Sequence, residues 1–155
     1  MNTTVTARLL GLAELGYAHW LFGNIYEAAV RMPERLAGEP HTGSVLGPGS
    51  PLRYYAPLAP VTLATTAAAV RTGWDIGGAR RWLALMAAGS TVGVALSGYL
   101  IRTVNLPVMF AADPPPPAQR DALIRTWYVL NGVRIVATGA ALFAAHRARS
   151  GSFDR

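Results

Sequence analysis

The segment Leu123–Ala145, LIRTWYVLNGVRIVATGAALFAA, decides the fold of this chain. It is apolar and long enough to cross a bilayer, whose hydrocarbon core takes about 20 apolar helical residues. Asn131 and Arg134 nevertheless lie inside the apolar run. At a rise of 1.5 Å per residue, Arg134 is about 16 Å from Leu123, close to the middle of a membrane. A charge there costs about 3 kcal/mol on insertion scales, so we expect Arg134 to face a partner or a wet cavity.

The polar residues of this segment form one stripe. Trp127, Asn131, Arg134 and Thr138 follow one another in steps of four, three and four residues, which places them on one side of a helix. We therefore expect the stripe to face other helices of the same protein. Two interpretations stay open, because such a stripe serves either a functional site or a polar clamp between helices.

Composition also favours a membrane protein of one domain, residues 1–155. The chain is 52% hydrophobic and 14% charged, whereas soluble domains carry about 25% charged residues. All fourteen basic residues are arginine, and they flank apolar segments as membrane-flanking charges do. The net charge of +6 comes with no basic helix face, so no nucleic-acid partner is expected. The absence of cysteine excludes disulfides, thiol nucleophiles and thiolate metal sites.

Four apolar segments separated by Gly- and Pro-rich connections predict an all-α fold. The expected architecture is an integral membrane four-helix bundle in the lipid bilayer, with two longer loops on the side opposite the termini. The first long loop runs over residues 33–51, and the second contains the prolines 114–117. The predicted transmembrane helices span about residues 9–32, 56–73, 82–104 and 118–147.

An even number of spans places both termini on one side of the membrane. Arginines number seven on that side and six on the other. The densest cluster near the spans is Arg71 with Arg80 and Arg81, on the terminus side, which predicts cytoplasmic termini by the positive-inside rule. We therefore expect a multi-pass protein that lies in a bacterial cell membrane.

A small-residue seam runs along the third predicted helix. Gly89, Gly93 and Ser97 recur every four residues, a pattern typical of close helix packing in membranes. The seam could serve the bundle itself or a homo-oligomer, and the sequence leaves both open.

Polar residues from all four predicted helices gather in the loop-side half of the bundle, which predicts a polar pocket that opens towards the loops. Measured from Met32, Glu27 lies about 7 Å and Asn24 about 12 Å into the first helix. Arg134 is at a depth from which its long side chain reaches Glu27. The sequence therefore predicts a Glu27–Arg134 ion pair, since each residue explains how the other is tolerated. The members of this half are Asn24, Glu27, Arg53, Tyr54, Tyr55, Arg102, Asn105, Trp127, Asn131 and Arg134.

Established catalytic motifs are absent from the sequence. There is no HExxH, P-loop, GxSxG or GxGxxG motif, and the three histidines are scattered, so neither a metal nor a cofactor is expected. What remains is acid–base and hydrogen-bonding chemistry. A base beside arginine and asparagine donors suits removal of a proton from an acidic carbon and stabilisation of the enolate.

The candidate residues divide by role. His19 or Glu27 is the candidate base, although His19 is also suited to donate a structural hydrogen bond between helices. Asn105, Asn131 and Arg134 are candidates to hold the oxyanion. Substrate contacts are expected from Trp20, Asn24, Tyr55, Arg102 and Trp127, with the two tryptophans stacking on rings.

An ordered set of motifs resembles the DUF1772, anthrone-oxygenase-like family of small membrane proteins. The set comprises GYAHWLFGNIYEA in the first helix, Tyr-Tyr-x-Pro before the second, VNLPV after the third and RTWYVLNGVR in the fourth. The resemblance covers most of the chain and places Asn105, Trp127, Asn131 and Arg134 on the family pattern. The VNLPVMF exit departs from the longer polar stretch expected in relatives, which bears on the substrate more than on the fold.

The resemblance implies a cofactor-independent oxygenase that converts an anthrone-type CH2 into a carbonyl with molecular oxygen. The expected substrate is then a hydrophobic polycyclic or polyketide-like molecule that partitions into the membrane. Two alternatives stay open: a cyclase or isomerase that uses the same acid–base residues without oxygen, and a non-enzymatic structural or accessory membrane subunit.

Overall fold

A computed structural model describes residues 3–37, 45–47 and 50–153, with side chains up to residue 151. The described residues form helices and no strand, which confirms the all-α prediction. Most of the predicted loop at residues 38–49, including His41, lies outside the described residues. The helices are α1 Thr3–Ala29, α2 Met32–Ala37, α3 Pro51–Tyr55, α4 Ala59–Gly73, α5 Arg80–Leu100 with a π-helical continuation Ile101–Met109, and α6 Pro117–Phe153.

The four long helices form a ring. Helix α1 packs against α4 and α6, and α5 packs against the same two neighbours. The small-residue seam lies inside this ring, because a Cβ added at Gly89 would come within 2.6 Å of the Ala137 carbonyl oxygen on α6. The seam therefore brings α5 and α6 of the same chain into backbone contact.

The second predicted helix, 56–73, begins differently from the prediction. A turn at residues 56–58 precedes α4 and separates it from α3. Ser50 caps α3 by accepting a hydrogen bond from the Leu52 amide at 3.2 Å, and Pro51 occupies its first turn. A second proline, Pro60, starts α4 in the same way. Each proline lacks an amide hydrogen, so it fits a first turn and favours the break before it.

The loop predicted from Pro33 also contains helix. Helix α1 ends at Ala29, and Arg31 adopts φ 53°, a left-handed conformation that is uncommon outside glycine. This residue redirects the chain into α2, which carries Pro33 in its first turn. The structure thus places a short helix where the sequence indicated only loop.

The third predicted helix continues past Pro107 instead of ending near residue 104. Residues Ile101–Met109 are π-helical, and the wider π turn accommodates a proline ring that would clash with the preceding turn of an α-helix. This segment buries Val104, Asn105 and Val108 against the other helices. The π-helical segment therefore places Asn105 in the interior, whereas a helix that ended at residue 104 would not.

The interior consists of two apolar clusters with a polar layer between them. The terminus-side cluster is built around Leu10, Tyr17, Leu83 and Met86. The loop-side cluster contains Leu100, Val104, Val108, Met109 and Trp127. The polar layer comprises Asn24, Glu27, Asn131, Arg134 and Thr138, all buried.

Within the described residues, two helical stretches are long and apolar enough to cross a membrane: Arg80–Met109 and Pro117–Gly151. Helix α4 has 15 residues, fewer than the roughly 20 that a bilayer core requires. Helix α1 has 27 residues, but it carries Arg8, Glu14 and Glu27, which lower its hydropathy. Two candidate spans are thus evident by length and composition in this part of the chain.

Candidate functional site

The centre of the polar layer is an ion pair between α1 and α6. Arg134 Nη2 lies 3.0 Å from Glu27 Oε2, as the sequence predicted. Both residues are buried: Glu27 is 7% exposed and Arg134 is 4% exposed. Because an unpaired charge at such a position is costly, each side chain stabilises the other in place. The predicted ion pair is confirmed.

Asn131 ties this pair to the backbone of α1. Its Oδ1 accepts hydrogen bonds from Arg134 Nε at 3.0 Å and Nη2 at 2.7 Å, and its Nδ2 donates to the Asn24 carbonyl oxygen at 3.0 Å. The remaining terminal nitrogen of Arg134 donates a longer bond of 3.4 Å to Ser97 Oγ on α5. The guanidinium is therefore held by α1, α5 and α6 together. The spacing of Ser97 indicates only a place in the small-residue seam, so its hydrogen bond to Arg134 is a contact that the sequence does not predict.

Three buried polar atoms near this network have no hydrogen-bond partner among the described residues: Asn24 Nδ2, Asn105 Oδ1 and Trp127 Nε1. Buried polar groups are normally satisfied, so each such atom calls for an explanation. Asn24 belongs to the polar layer, Trp127 lies in the loop-side apolar cluster, and Asn105 lies on the wall of a cavity. Of the three, Asn105 is the residue that a molecule entering a cavity would meet, so its Oδ1 is suited to accept a hydrogen bond from that molecule.

Two cavities meet at Glu27. The larger, about 560 Å³, opens under α2 and α3 and is walled by aromatic rings, among them Phe22, Tyr26, Tyr54 and Tyr55. The smaller, about 260 Å³, lies between the long helices. Its polar lining comprises Glu27, Tyr55, Ser97, Asn105 and Arg134, and Trp20 supplies an aromatic wall. The carboxylate and Tyr55 thus border both an open aromatic cavity and a deeper polar one. We call the two together the loop-side cavity.

Tyr55 places a hydroxyl group on the wall of this cavity. Its hydroxyl donates to Asn24 Oδ1 at 3.2 Å, which links α3 to the polar layer of α1. A phenol keeps its proton at physiological pH, so the hydroxyl is a neutral donor. With its proton donated to Asn24, the hydroxyl oxygen can accept a hydrogen bond from a molecule that enters either cavity.

His19 lies apart from the polar layer. Its ring stacks on Tyr54 with centroids 4.0 Å apart, and Nε2 donates to the Tyr54 carbonyl oxygen at 3.2 Å. Since a carbonyl only accepts, this contact fixes His19 as a donor between α1 and α3. The contacts of His19 thus match the structural role, a hydrogen bond donated between helices, and not that of a base. The cleft that its ring borders has no room for a water-sized molecule.

Of the other expected site residues, one lines the loop-side cavity and two lie away from it. Trp20 lines the loop-side cavity. Trp127 packs in the loop-side apolar cluster and makes an edge contact with Tyr128 at 5.2 Å, away from either cavity wall. Arg102 is exposed on the π-helical segment and lines neither cavity. The structure therefore brings together Trp20, Asn24, Glu27, Tyr55, Asn105, Asn131 and Arg134.

Helix α2 adds contacts that sequence reasoning missed. Met32, Arg35 and Leu36 line the larger cavity, and Glu34 accepts a hydrogen bond from Tyr128 on α6 at 2.8 Å. This contact anchors α2 over the cavity mouth. No apolar periodicity indicates a six-residue helix, so only the tertiary contacts identify it.

Within residues 3–37, 45–47 and 50–153, no three His, Asp or Glu side chains lie close enough together to form a metal site. Comparison with family models, curated proteins and solved structures finds no match for this chain.

Proposed function

We propose that the chain is a four-span integral membrane enzyme that removes a proton from a hydrophobic carbon acid in the loop-side cavity. The membrane part is supported by the distribution of polarity. Each long helix turns apolar side chains outward, for example Phe22 on α1, which is 64% exposed, and Val136 on α6, which is 72% exposed. The ion pair of Glu27 and Arg134 lies inside. A surface of this kind favours lipid over water.

The arrangement of α3 and α4 supports a span despite the shortness of α4. The two helices are separated only by the turn at residues 56–58, so together they form a nearly continuous helical stretch from Pro51 to Gly73. Helix α1 tolerates Glu27 because its charge is paired inside the bundle. The arginine cluster at residues 71, 80 and 81 supports cytoplasmic termini in a bacterial cell membrane.

One observation carries the proposed chemistry: a buried carboxylate, Glu27, borders both parts of the loop-side cavity. A base must reach the proton that it removes, and His19 has no such access. Glu27 is therefore the proposed base. Arg134 and Asn105 line the same cavity with groups suited to a developing enolate. Asn131 lines neither cavity and instead holds the guanidinium of Arg134 in place. The aromatic wall suits a flat, apolar substrate.

The reaction most in keeping with the motif resemblance is cofactor-independent oxygenation. Glu27 accepts a proton from an activated CH2 group, and the carbanion transfers an electron pair to molecular oxygen and bonds to it, which gives a peroxide anion. Protonated Glu27 returns its proton to this anion, which gives a hydroperoxide and restores the base. Loss of water from the peroxide leaves a carbonyl, so that one methylene group and one oxygen molecule yield one carbonyl group and one water molecule. The protein supplies the base, the oxyanion donors and a cavity with an aromatic wall. An anthrone-type or other polyketide-like polycyclic molecule meets these requirements, since its CH2 is acidic.

The test is oxygen uptake by the purified, metal-stripped protein with a panel of anthrones. We expect uptake above the spontaneous rate, abolished by Glu27→Gln and retained by His19→Ala. Asp121→Asn is a matched control, because this exposed acid lies on the same side of the bundle and outside the cavity. Uptake that survives Glu27→Gln contradicts the proposal. Conversion of substrate without oxygen uptake supports the cyclase or isomerase instead.

A structural role for the polar layer is the second candidate, favoured by the way the network joins helices. The hydrogen bonds of Arg134 reach Glu27 on α1, Ser97 on α5 and Asn131 on its own helix. Under this alternative, a Glu27→Leu/Arg134→Leu variant retains the function of the protein. Under the enzyme proposal the same variant folds but is inactive.

A further inference from the structure

We infer a binding site for the head group of an anionic phospholipid at the opposite end of the bundle, where α1 begins and α6 ends. A groove of about 540 Å³ separates the two helices there. Its lining includes Arg8, His146 and Arg149, with Thr4, Gly11 and Ser150 between them. This basic groove rests on the membrane placement proposed above and is independent of the proposed reaction.

Among the residues that the structure describes, the charges of the basic groove do not cancel. Arg149 is held by Glu14 through two contacts of 2.9 Å, Nε to Oε1 and Nη2 to Oε2. Arg8 forms no ion pair or hydrogen bond with any residue that the structure describes. Two arginines against one glutamate leave a net charge of +1, before any contribution from His146, whose Nδ1 is 3.8 Å from the same carboxylate. An uncompensated cation in a groove of this size favours an anion.

The bidentate contact also preorganises Arg149. Glu14 occupies Nε and Nη2, which leaves Nη1 available, and a Cβ added at Gly11 would lie 4.0 Å from this nitrogen. Gly11 therefore keeps the floor of the groove open beneath a fixed guanidinium. Arg8 approaches from α1, so two guanidinium groups flank the space from different helices. Arginine pairs of this kind recognise phosphate oxygens well.

The surface below the groove suits an acyl chain. Leu15 and Phe22 follow Arg8 at intervals of seven residues, so the three lie on one face of α1. Leu15 is 70% exposed and Phe22 is 64% exposed. Each interval spans about 10 Å of helix, so Phe22 lies about 21 Å from Arg8, beyond the roughly 15 Å depth of one leaflet. A charged end followed by an exposed apolar stripe matches a phospholipid better than a soluble phosphate. Basic pockets between membrane helices bind anionic head groups in this way.

The test is native mass spectrometry of the detergent-purified protein titrated with phosphatidylglycerol or with phosphatidylcholine of the same acyl chains. Glycerol 3-phosphate serves as the soluble competitor. We expect phosphatidylglycerol to bind more tightly than phosphatidylcholine and Arg8→Gln to weaken its binding about five-fold. Arg71→Gln is the matched control, since Arg71 is exposed at the same end but outside the groove. Arg149 is left intact, because its removal would expose Glu14.

Gly11→Leu provides a second variant, which fills the groove without changing charge and should also weaken binding. Equal binding of the two lipids, or equal loss in Arg8→Gln and Arg71→Gln, would overturn the site. Full competition by glycerol 3-phosphate would also overturn it, because the ligand would then be a soluble phosphate. Failure of lipid binding in a protein that fractionates with membranes rejects this site and leaves the proposed reaction standing.

Discussion

Breaking the Glu27–Arg134 pair tests whether the polar layer holds the bundle together. Arg134→Met removes the 3.0 Å contact to Glu27 and the bonds of 3.0 and 2.7 Å to Asn131. Two buried acceptors, a carboxylate and an amide oxygen, are then left without this donor. Loss of one partner of a buried pair typically costs about 3–5 kcal/mol. We expect a cost of about 3 kcal/mol here, because protonation of Glu27 relieves part of the penalty.

The double variant Glu27→Met/Arg134→Met separates the pair from simple loss of packing. With both charges removed, neither is left buried and unpaired, so the double variant should be less destabilised than the two single variants summed. We expect a difference of about 2 kcal/mol. The assay is unfolding by SDS in mixed micelles, followed by tryptophan fluorescence, since Trp20 and Trp127 are buried beside the layer.

An exposed pair provides the control for this cycle. Arg120 and Asp121 lie 3.9 Å apart, with side chains 34% and 59% exposed. Removal of this pair should cost less than about 1 kcal/mol, because water screens it. Single variants of Glu27 and Arg134 that unfold like the wild type, or whose costs add in the double variant, would refute the argument from buried charge.

Other predictions follow from close contacts and unpartnered atoms. Gly89→Ala should lower the free energy of unfolding by about 1–3 kcal/mol, because the added Cβ would lie 2.6 Å from a carbonyl oxygen of α6. Gly132→Ala is the control and should leave the free energy of unfolding unchanged, since a Cβ there would meet nothing within 4 Å. Tyr128→Phe removes the hydrogen bond to Glu34 and should cost about 1 kcal/mol in the same SDS assay; an unchanged midpoint would contradict this. Asn105→Leu removes an unpartnered buried acceptor, so it should preserve or raise stability while lowering turnover; unchanged turnover would exclude Asn105 from the site.

The ion pair could be predicted because depth and helical face are local properties. The position of Glu27 below Met32 and of Arg134 below Leu123 follows from rise per residue, and the cost of an unpaired charge limits the choice of partner. The predicted all-helical architecture followed from apolar runs and prolines in the same way.

The features that could not be predicted depend on contacts between distant segments. The sequence placed Pro107 at a helix end, but a π-helical segment accommodates it and turns Asn105 inward. His19 is a candidate base by sequence, yet its ring nitrogen donates a hydrogen bond to the backbone carbonyl of Tyr54. A pattern of side chains cannot predict a contact with a backbone carbonyl. Helix α2 is too short for periodicity to indicate, although it covers the larger cavity.

The most direct test of the central claim is proton removal in the absence of oxygen. A carbon acid such as an anthrone is incubated anaerobically in heavy water with the purified protein, and deuterium entry at its CH2 group is followed by NMR. We predict exchange faster than the spontaneous rate for the wild type and for Asp121→Asn, and exchange at the spontaneous rate for Glu27→Gln. Equal exchange with the wild type and Glu27→Gln, both folded, would contradict the assignment of Glu27 as the base.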